Sequence, residues 1–444
     1  MEVHSIKIRD SQLGYYNPVD GKIYGSDVSI NVETLNINQF HPETELYLEL
    51  SESCNMNCSC AVGVDQMKKS GHAPEQMSDQ TLEIILRGLF DAQEKLRLQN
   101  PEKDSIKIKY AGGEPLFPKN LELIGHAQPI LDELRKEYPE VKFRQIILTN
   151  GLLLNDKVVD LIKKNDIHVS VSLWGLGDDN DKERGMRKGF NSSERVLNGI
   201  IKMVEAGVTF NVNHVVSPSN AHKLASFVEK MWNVNSPDFV GKDWNFIDGK
   251  KPLAVAIQFL RPQTSEHLQT LLQGGTAAMI DGVNKMFEVA ISLLKNGIYI
   301  PGLQKVDYLQ PFDGVTGFTC GSGINYVAAG PRGVANCHEG LYGMDPNLRE
   351  LEGGVSPLDL ANIAYKDIAE IASISRDYTE IDPSMHLPLA LHGGGGCPRV
   401  ENLSSESDFG ITSNTFTKKV YVGIFDKYLE FEATRRTIFN ENNI

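Results

Sequence analysis

Glu45-Leu-Tyr-Leu-Glu-Leu-Ser51-Glu-Ser-Cys54-Asn-Met-Asn-Cys58-Ser-Cys60 runs from an alternating stretch straight into three cysteines. The alternation over Glu45–Ser51 predicts a β-strand with one apolar face. Half of the six cysteines in the 444-residue chain sit between Cys54 and Cys60. Thiols this close cannot all pair as disulfides, because adjacent geometry forbids most pairings and one is always left over. They can converge on one metal ion or one iron–sulfur cluster. Three ligands on a four-iron cluster leave one iron open to a further ligand. A surface zinc knuckle, or three unrelated thiols, fits the same stretch.

Downstream, strand-like and helix-like segments alternate. Helical apolar spacing appears at Leu82, Ile85, Leu86, Leu89 and Phe90 behind an N-cap serine, Ser78. Strands are expected over 105–110, 142–148, 167–173, 208–216 and 253–260, with helices over 120–137, 156–164, 193–206, 220–232 and 276–294. Six βα units argue for parallel strands with crossover helices. Periodicity alone does not separate an open doubly wound sheet from a barrel, and both place chemistry at the C-terminal ends of the strands. Before this region, Asn-Pro and Asp-Gly turn signals between Tyr15 and Gly25 predict a hairpin.

Bulk properties narrow the classes. The chain is 41% hydrophobic and 23% charged, which is ordinary for a globular protein. No run of 18 apolar residues suggests a membrane span, and the N-terminus has no apolar signal core. A net charge of −14 opposes non-specific nucleic-acid binding, which depends on cations neutralising phosphates. Few cysteines, grouped as ligands, fit a reducing cytoplasmic location.

The expected strand ends carry short motifs. Tyr110-Ala-Gly112-Gly113-Glu114-Pro115 places two glycines, which allow close backbone approach, beside a carboxylate suited to an ammonium group. Taken alone it reads more readily as a tight βα turn with a solvent-facing acid. Thr149-Asn150-Gly151 ends the third strand, and Ser170-Val-Ser172-Leu-Trp174-Gly175 the fourth, followed by Arg184-Gly185 and Gly189-Phe190. In this order and spacing the motifs resemble the radical S-adenosylmethionine (radical SAM) enzymes, over about residues 44–260. The resemblance is to the peptide-modifying branch with a C-terminal SPASM or Twitch extension. It continues in Cys320-Gly-Ser-Gly323, in Gly330-Pro-Arg-Gly333-Val-Ala-Asn-Cys337-His338 and in Gly393-Gly-Gly-Gly-Cys397.

The resemblance implies a partial (β/α)6 TIM-type barrel with a C-terminal Twitch/SPASM-like iron–sulfur module. Residues 1–43 would form an N-terminal hairpin segment, 44–298 the core, 299–400 the auxiliary module and 401–444 a linker and closing helix. Cys54, Cys58 and Cys60 would hold a [4Fe–4S] cluster that binds S-adenosylmethionine. Gly112, Gly113 and Glu114 would receive its ammonium group, and Ser172 and Arg184 its ribose or carboxylate, a guanidinium being well shaped for a carboxylate. Read without the resemblance, Ser172 is an inward-facing barrel residue and Arg184 a solvated charge at a helix start. Cys320, Cys337 and Cys397 would hold one auxiliary cluster. His338 and His392 are candidate fourth ligands, His338 is also a candidate base, and a Cys3His zinc site is the alternative for the three thiols.

Two departures stand out. The family loop is Cys-x3-Cys-x2-Cys with an aromatic before the third cysteine; here it is Cys-x3-Cys-x-Cys without one. The missing residue shortens the reach of the third thiolate by about 3.3–3.6 Å of extended chain. In the sulfatase-maturing group an aspartate follows the second extension cysteine, where this chain has His338. The expected activity is reductive cleavage of S-adenosylmethionine to a 5′-deoxyadenosyl radical that abstracts hydrogen from a peptide or protein substrate, with flavodoxin or ferredoxin as electron donor. Chemistry on a small molecule such as a sugar, and a catalytically silent relative of the same fold, are the alternatives.

Overall fold

The computed structural model describes residues 4–8, 12–17, 22–24, 43–58, 73–186, 191–232, 253–260, 269–296, 298, 300, 302–303, 326–331, 333–335 and helical positions between 420 and 438. Strands β1 (His4–Ile8), β2 (Gln12–Asn17) and β3 (Lys22–Tyr24) form an antiparallel sheet of their own. The expected hairpin is β2–β3, with Tyr15 opposite Tyr24; β1 extends it by one strand.

The main sheet begins with β4 (Glu43–Ser51), and the cysteine loop contains the short β5 (Met56–Cys58). Then come α1 (Asp79–Gln99), β6 (Ser105–Gly112), α2 (Pro118–Glu137), β7 (Lys142–Thr149), α3 (Asp156–Lys164) and β8 (Ile167–Ser172). A short α4 (Asp178–Glu183) runs into β9 (Arg184–Met186), followed by α5 (Ser192–Glu205), β10 (Phe210–Val216), α6 (Leu224–Trp232), β11 (Leu253–Phe259) and α7 (Thr276–Lys295). Strands β12 (Tyr326–Gly330) and β13 (Gly333–Ala335) complete the described sheet. Side-chain caps set several helix starts. Thr81 N donates to Ser78 Oγ at 3.0 Å before α1, and Val158 N to Asn155 Oδ1 at 3.2 Å before α3.

The sheet order is β11-β10-β8-β7-β6-β4-β12-β13. From β4 to β11 the strands are parallel and lie in chain order. A doubly wound sheet reverses direction at a switch point; from β4 to β11 this one does not. Right-handed crossovers of one sense then place every connecting helix on the same face, and the sheet curls about the other. That resolves the ambiguity left by periodicity in favour of a partial barrel. Strand β12 pairs parallel with β4, Tyr326 beside Glu45, so part of the segment assigned by sequence to the C-terminal module adds to the core sheet.

The two faces of the sheet differ in chemistry. Leu46, Leu48, Ile106, Ile108, Ile147, Val169, Val171, Val212 and Val255 are buried under the helices. Phe90 of α1 meets Phe143 edge-on, with centroids 5.5 Å apart. The inward face is polar. Near its N-terminal end, Arg144 grips Glu43 through two bonds of 2.7 and 2.6 Å, and Lys107 bridges Glu43 and Glu45. Lys109 also pairs with Glu45, and its ammonium lies 5.8 Å from the Tyr326 ring centroid. Burial pushes the Glu45 carboxyl up, but Lys109 and Lys107 more than offset it and hold it below the ordinary range. Along β8 and β10 the lining is uncharged. His168 Nε2 and Asn211 Oδ1 are 2.8 Å apart, and Asn211 Nδ2 donates to Ser170 Oγ at 2.9 Å.

On the helix side of β10, His214 is 1% exposed and its ring lies 4.8 Å from that of Phe227. Burial drives its pKa from 6.5 down to about 3, so the ring is neutral in the folded chain. The unfolded chain gains a proton below its own pKa while the folded chain does not. Stability present above about pH 6.5 is therefore lost at about 1.4 kcal/mol per pH unit as the pH falls towards 3. Urea unfolding of His214→Leu at about pH 7.5 and about pH 5 will show a smaller loss between the two than the natural chain shows; an equal loss would acquit His214.

Candidate functional site

The cysteine loop leaves β4 at Ser51 and is held from both sides. Met77 N donates to Leu50 O at 2.9 Å, and Glu52 N to Glu75 O at 3.1 Å. From β6, Gly113 N donates to Ser51 O at 2.7 Å. A Cβ on Gly113 would sit 2.0 Å from Ser53 O, and one on Gly112 2.4 Å from Ser51 O. Gly112 also has φ +107°, a conformation side chains resist. The glycine pair thus seats the backbone of β6 against the residues that launch the cysteine loop. Asn120 ties the joint together, its Nδ2 donating to Ser51 Oγ at 2.9 Å and Glu114 O at 2.8 Å.

Glu114 is fully buried. Its Oε1 accepts from Thr149 Oγ1 at 2.7 Å and Leu116 N at 2.9 Å, and its Oε2 accepts from Asn150 N at 2.9 Å. Burial pushes the carboxyl above its usual range, while these donors and the charge of Arg184 pull it back. The carboxylate is a strut between the ends of β6 and β7. A carboxylate has about four acceptor sites, so about one remains on Oε2.

Arg184 arrives from β9. Strand β5 pairs antiparallel with β9, with Met56 opposite Met186 and Cys58 opposite Arg184. The guanidinium lies 4.7 Å from the centroid of Trp174, its Nη2 is 3.8 Å from Met56 Sδ, and the residue is 7% exposed. Expected alternatively as a solvated charge at a helix start, it is buried at a helix end. The preceding turn is stiff. Trp174 N donates to Asn180 Oδ1 at 3.0 Å, and Asn180 Nδ2 to Ser192 Oγ at 3.0 Å. Ser192 Oγ in turn donates to Arg184 O at 3.1 Å, while Ser192 N and Ser193 N both donate to Asp181 Oδ1. Among the described residues, Arg184 Nε and Trp174 Nε1 are buried donors with no acceptor. Buried unmet donors are costly and suit an incoming ligand.

Cys54 and Cys58 are half-buried free thiols. Burial pushes the Cys54 thiol up; the Met56 amide pulls it down, Glu114 and Cys58 add to the rise and Arg184 opposes it. Met56 N donates to Cys54 Sγ at 3.5 Å, and Asn150 Nδ2 approaches the same sulfur at 3.8 Å. The donor set fits a thiolate-held cluster: two thiols on one braced loop, N–H groups on a sulfur, and an unpaired guanidinium alongside for an anionic ligand. Ser172 is half-buried at the end of β8, beside Asn213 of β10 on the inward face. Cys60, Cys320, Cys337, Cys397, His338 and His392 lie outside the described residues.

The structure thus brings Cys54, Cys58, Gly112, Gly113, Glu114 and Arg184 into one constellation. Sequence reasoning missed Trp174, whose ring carries Arg184, and Asn150, which touches the cysteine loop. The Thr149-Asn150-Gly151 motif was the available signal for Asn150, but a turn and a contact read alike in one dimension.

No family model matches the chain. An uncharacterised protein of Methanocaldococcus jannaschii is 28% identical over 260 residues, covering 59% of this chain and 74% of that protein. The GTP 3′,8-cyclase of Clostridium perfringens is 25% identical over 338 residues, covering 73% of this chain and 89% of that enzyme. Among solved structures, anSMEcpe with bound AdoMet and Cp18Cys peptide superposes with a TM-score of 0.59 at 15% identity, covering 90% of this chain and 100% of that one. At that identity the likeness is one of fold.

Gly113→Ala must displace backbone at Ser53. Overpacking ordinarily costs about 1–3 kcal/mol, and a backbone clash belongs at or above the upper end. Gly125 in α2 has open space around its Cβ position, so Gly125→Ala will instead stabilise by up to about 1 kcal/mol. Denaturant midpoints of the two variants check the pair, and similar midpoints would refute the packing role of Gly113.

Proposed function

The chain belongs to the radical SAM superfamily of enzymes, and on that premise we propose that it cleaves S-adenosylmethionine reductively and abstracts hydrogen from a peptide or protein substrate. The observation that carries this reading is the pairing of β5 with β9, which sets the buried, incompletely bonded Arg184 across from Cys58. Cys54, Cys58 and Cys60 would hold a [4Fe–4S] cluster. When bound, that group supplies the electron that splits S-adenosylmethionine and so yields the 5′-deoxyadenosyl radical.

The rest falls to the chain's own residues. Arg184 neutralises the carboxylate of S-adenosylmethionine, and its stack on Trp174 keeps the fork from swinging. The Gly112–Gly113 backbone and the remaining acceptor site of Glu114 take the ammonium group. Ser172 meets the ribose from the inward face. Buried Met56, Leu116 and Trp174 exclude water around these groups. Cys320, Cys337 and Cys397 would hold a second, auxiliary cluster, with His338, next to Cys337 in sequence, as ligand or base.

Two features support a peptide as substrate. The C-terminal cysteine pattern resembles that of peptide-modifying relatives, and the fold is shared with a protein solved with a bound peptide. A second reading has its own support. The match to the GTP cyclase spans 89% of that enzyme, and the uncharged inward face near Asn213 and Gln258 would suit a small polar molecule. Transfer of deuterium from labelled peptide, or from a labelled small molecule, into 5′-deoxyadenosine separates the two.

Reduced protein reconstituted with iron and sulfide will release 5′-deoxyadenosine from S-adenosylmethionine, and Cys58→Ala will not; equal release from both proteins would sink the proposal. Arg184→Gln will raise the S-adenosylmethionine concentration needed for half-maximal binding by about 10- to 100-fold, the range for a hydrogen bond to a charged group.

A further inference from the structure

Asn150 directly follows β7, is 5% exposed, and has its side chain held at two points. Its Oδ1 accepts from Leu152 N at 3.0 Å, and its Nδ2 donates to Asn55 Oδ1 at 2.7 Å. Its own backbone N–H donates to Glu114 Oε2 at 2.9 Å, so the main chain is pinned as well. In this setting Nδ2 lies 3.8 Å from Cys54 Sγ, within reach of an N–H···S hydrogen bond. The amide carries two N–H bonds, enough to serve Asn55 and the sulfur together. Met56 N adds a second donor to the same sulfur at 3.5 Å. An asparagine that only braced the loop would need the bond to Asn55 and no approach to the sulfur.

We propose that Asn150 is a positioning residue that sets the reduction potential of the cluster held by Cys54, through the hydrogen bond from its Nδ2 to the Cys54 sulfur. The proposal rests on the cluster assignment made above. A donor on a thiolate sulfur withdraws electron density and favours the reduced, more negative cluster, so it raises the potential. The proposed cleavage calls for a strongly reducing cluster, and a weak side-chain donor of fixed geometry would moderate that strength without closing the open iron.

The experiment is an electron paramagnetic resonance-monitored redox titration of anaerobically reconstituted full-length protein, with iron counted in each sample. Asn150→Leu removes the donor at similar volume. Asn150→Asp keeps the acceptor for Leu152 N and removes the donor. The natural chain will bind its cluster, and both variants will retain its iron content with midpoints shifted to more negative potential. Asn55→Ala leaves the Nδ2–sulfur contact in place and will shift the midpoint less than either. Unchanged midpoints at full iron content would overturn the proposal. Loss of iron from both Asn150 variants would overturn it too, and would make Asn150 a brace of the loop. A natural chain that binds no iron would defeat the cluster assignment itself, a result distinguishable from either.

Discussion

No atom fits between Gly113 and the Ser53 carbonyl, and the site is arranged around that absence. A backbone-to-backbone seat of this kind fixes where the cysteine loop leaves the sheet to within a fraction of an ångström. Every other element of the site is referred to it. Asn120 bolts the seat from below, Glu114 carries its position across to β7, and Asn150 returns it to the cysteine loop. The chain Ser51–Gly113–Glu114–Asn150–Asn55 is thus a closed ring of contacts through three neighbouring strand ends. A ring resists shear in a way that separate contacts do not, which is what a cofactor with an open coordination position requires of its holder.

Glu114 illustrates how one residue can serve two masters. A carboxylate buried without partners would protonate, because burial alone raises its pKa. Three protein donors and the field of Arg184 act against that, while leaving about one acceptor site unfilled. The same group therefore stiffens the loop and keeps acceptor capacity in reserve. Arg184 is its counterpart, a cation stacked on Trp174 with one N–H unspoken for. A buried carboxylate and a buried guanidinium thus stand in one constellation, each braced by the surrounding chain.

Much of this was legible in one dimension. The parallel strands follow from alternation at Glu45–Ser51, Ser105–Tyr110 and Phe210–Val216, and Ser78 and Asn155 mark helix starts by their own chemistry. The order of the motifs places cysteines, glycines and Arg184 at successive strand ends. What the alphabet could not convey is which groups face one another. Gly-Gly reads as room for a ligand, yet where a Cβ on Gly113 would stand the neighbour is the backbone of Ser53. Arg184, read without the resemblance, is a solvated charge at a helix start, yet its pairing with Cys58 is a contact between residues far apart in sequence. Asn150 reads as a turn former, because its partner Asn55 lies in the cysteine loop, far away in sequence.

The place of β12 has a consequence for how the protein is made. Strand β4, which launches the cysteine loop, is flanked on one side by β6 and on the other by β12. Its second neighbour therefore emerges from the ribosome only after most of the chain, when Tyr326 can join Glu45. Until then β4 is an open edge with unpaired amides and carbonyls, able to accept a stray strand. Pairing across so long a separation is slow as well, because loop-closure entropy must be overcome before the contacts form. The cysteine loop thus hangs from a strand whose final partner arrives late, so the frame that holds it is complete only after most of the chain has been made.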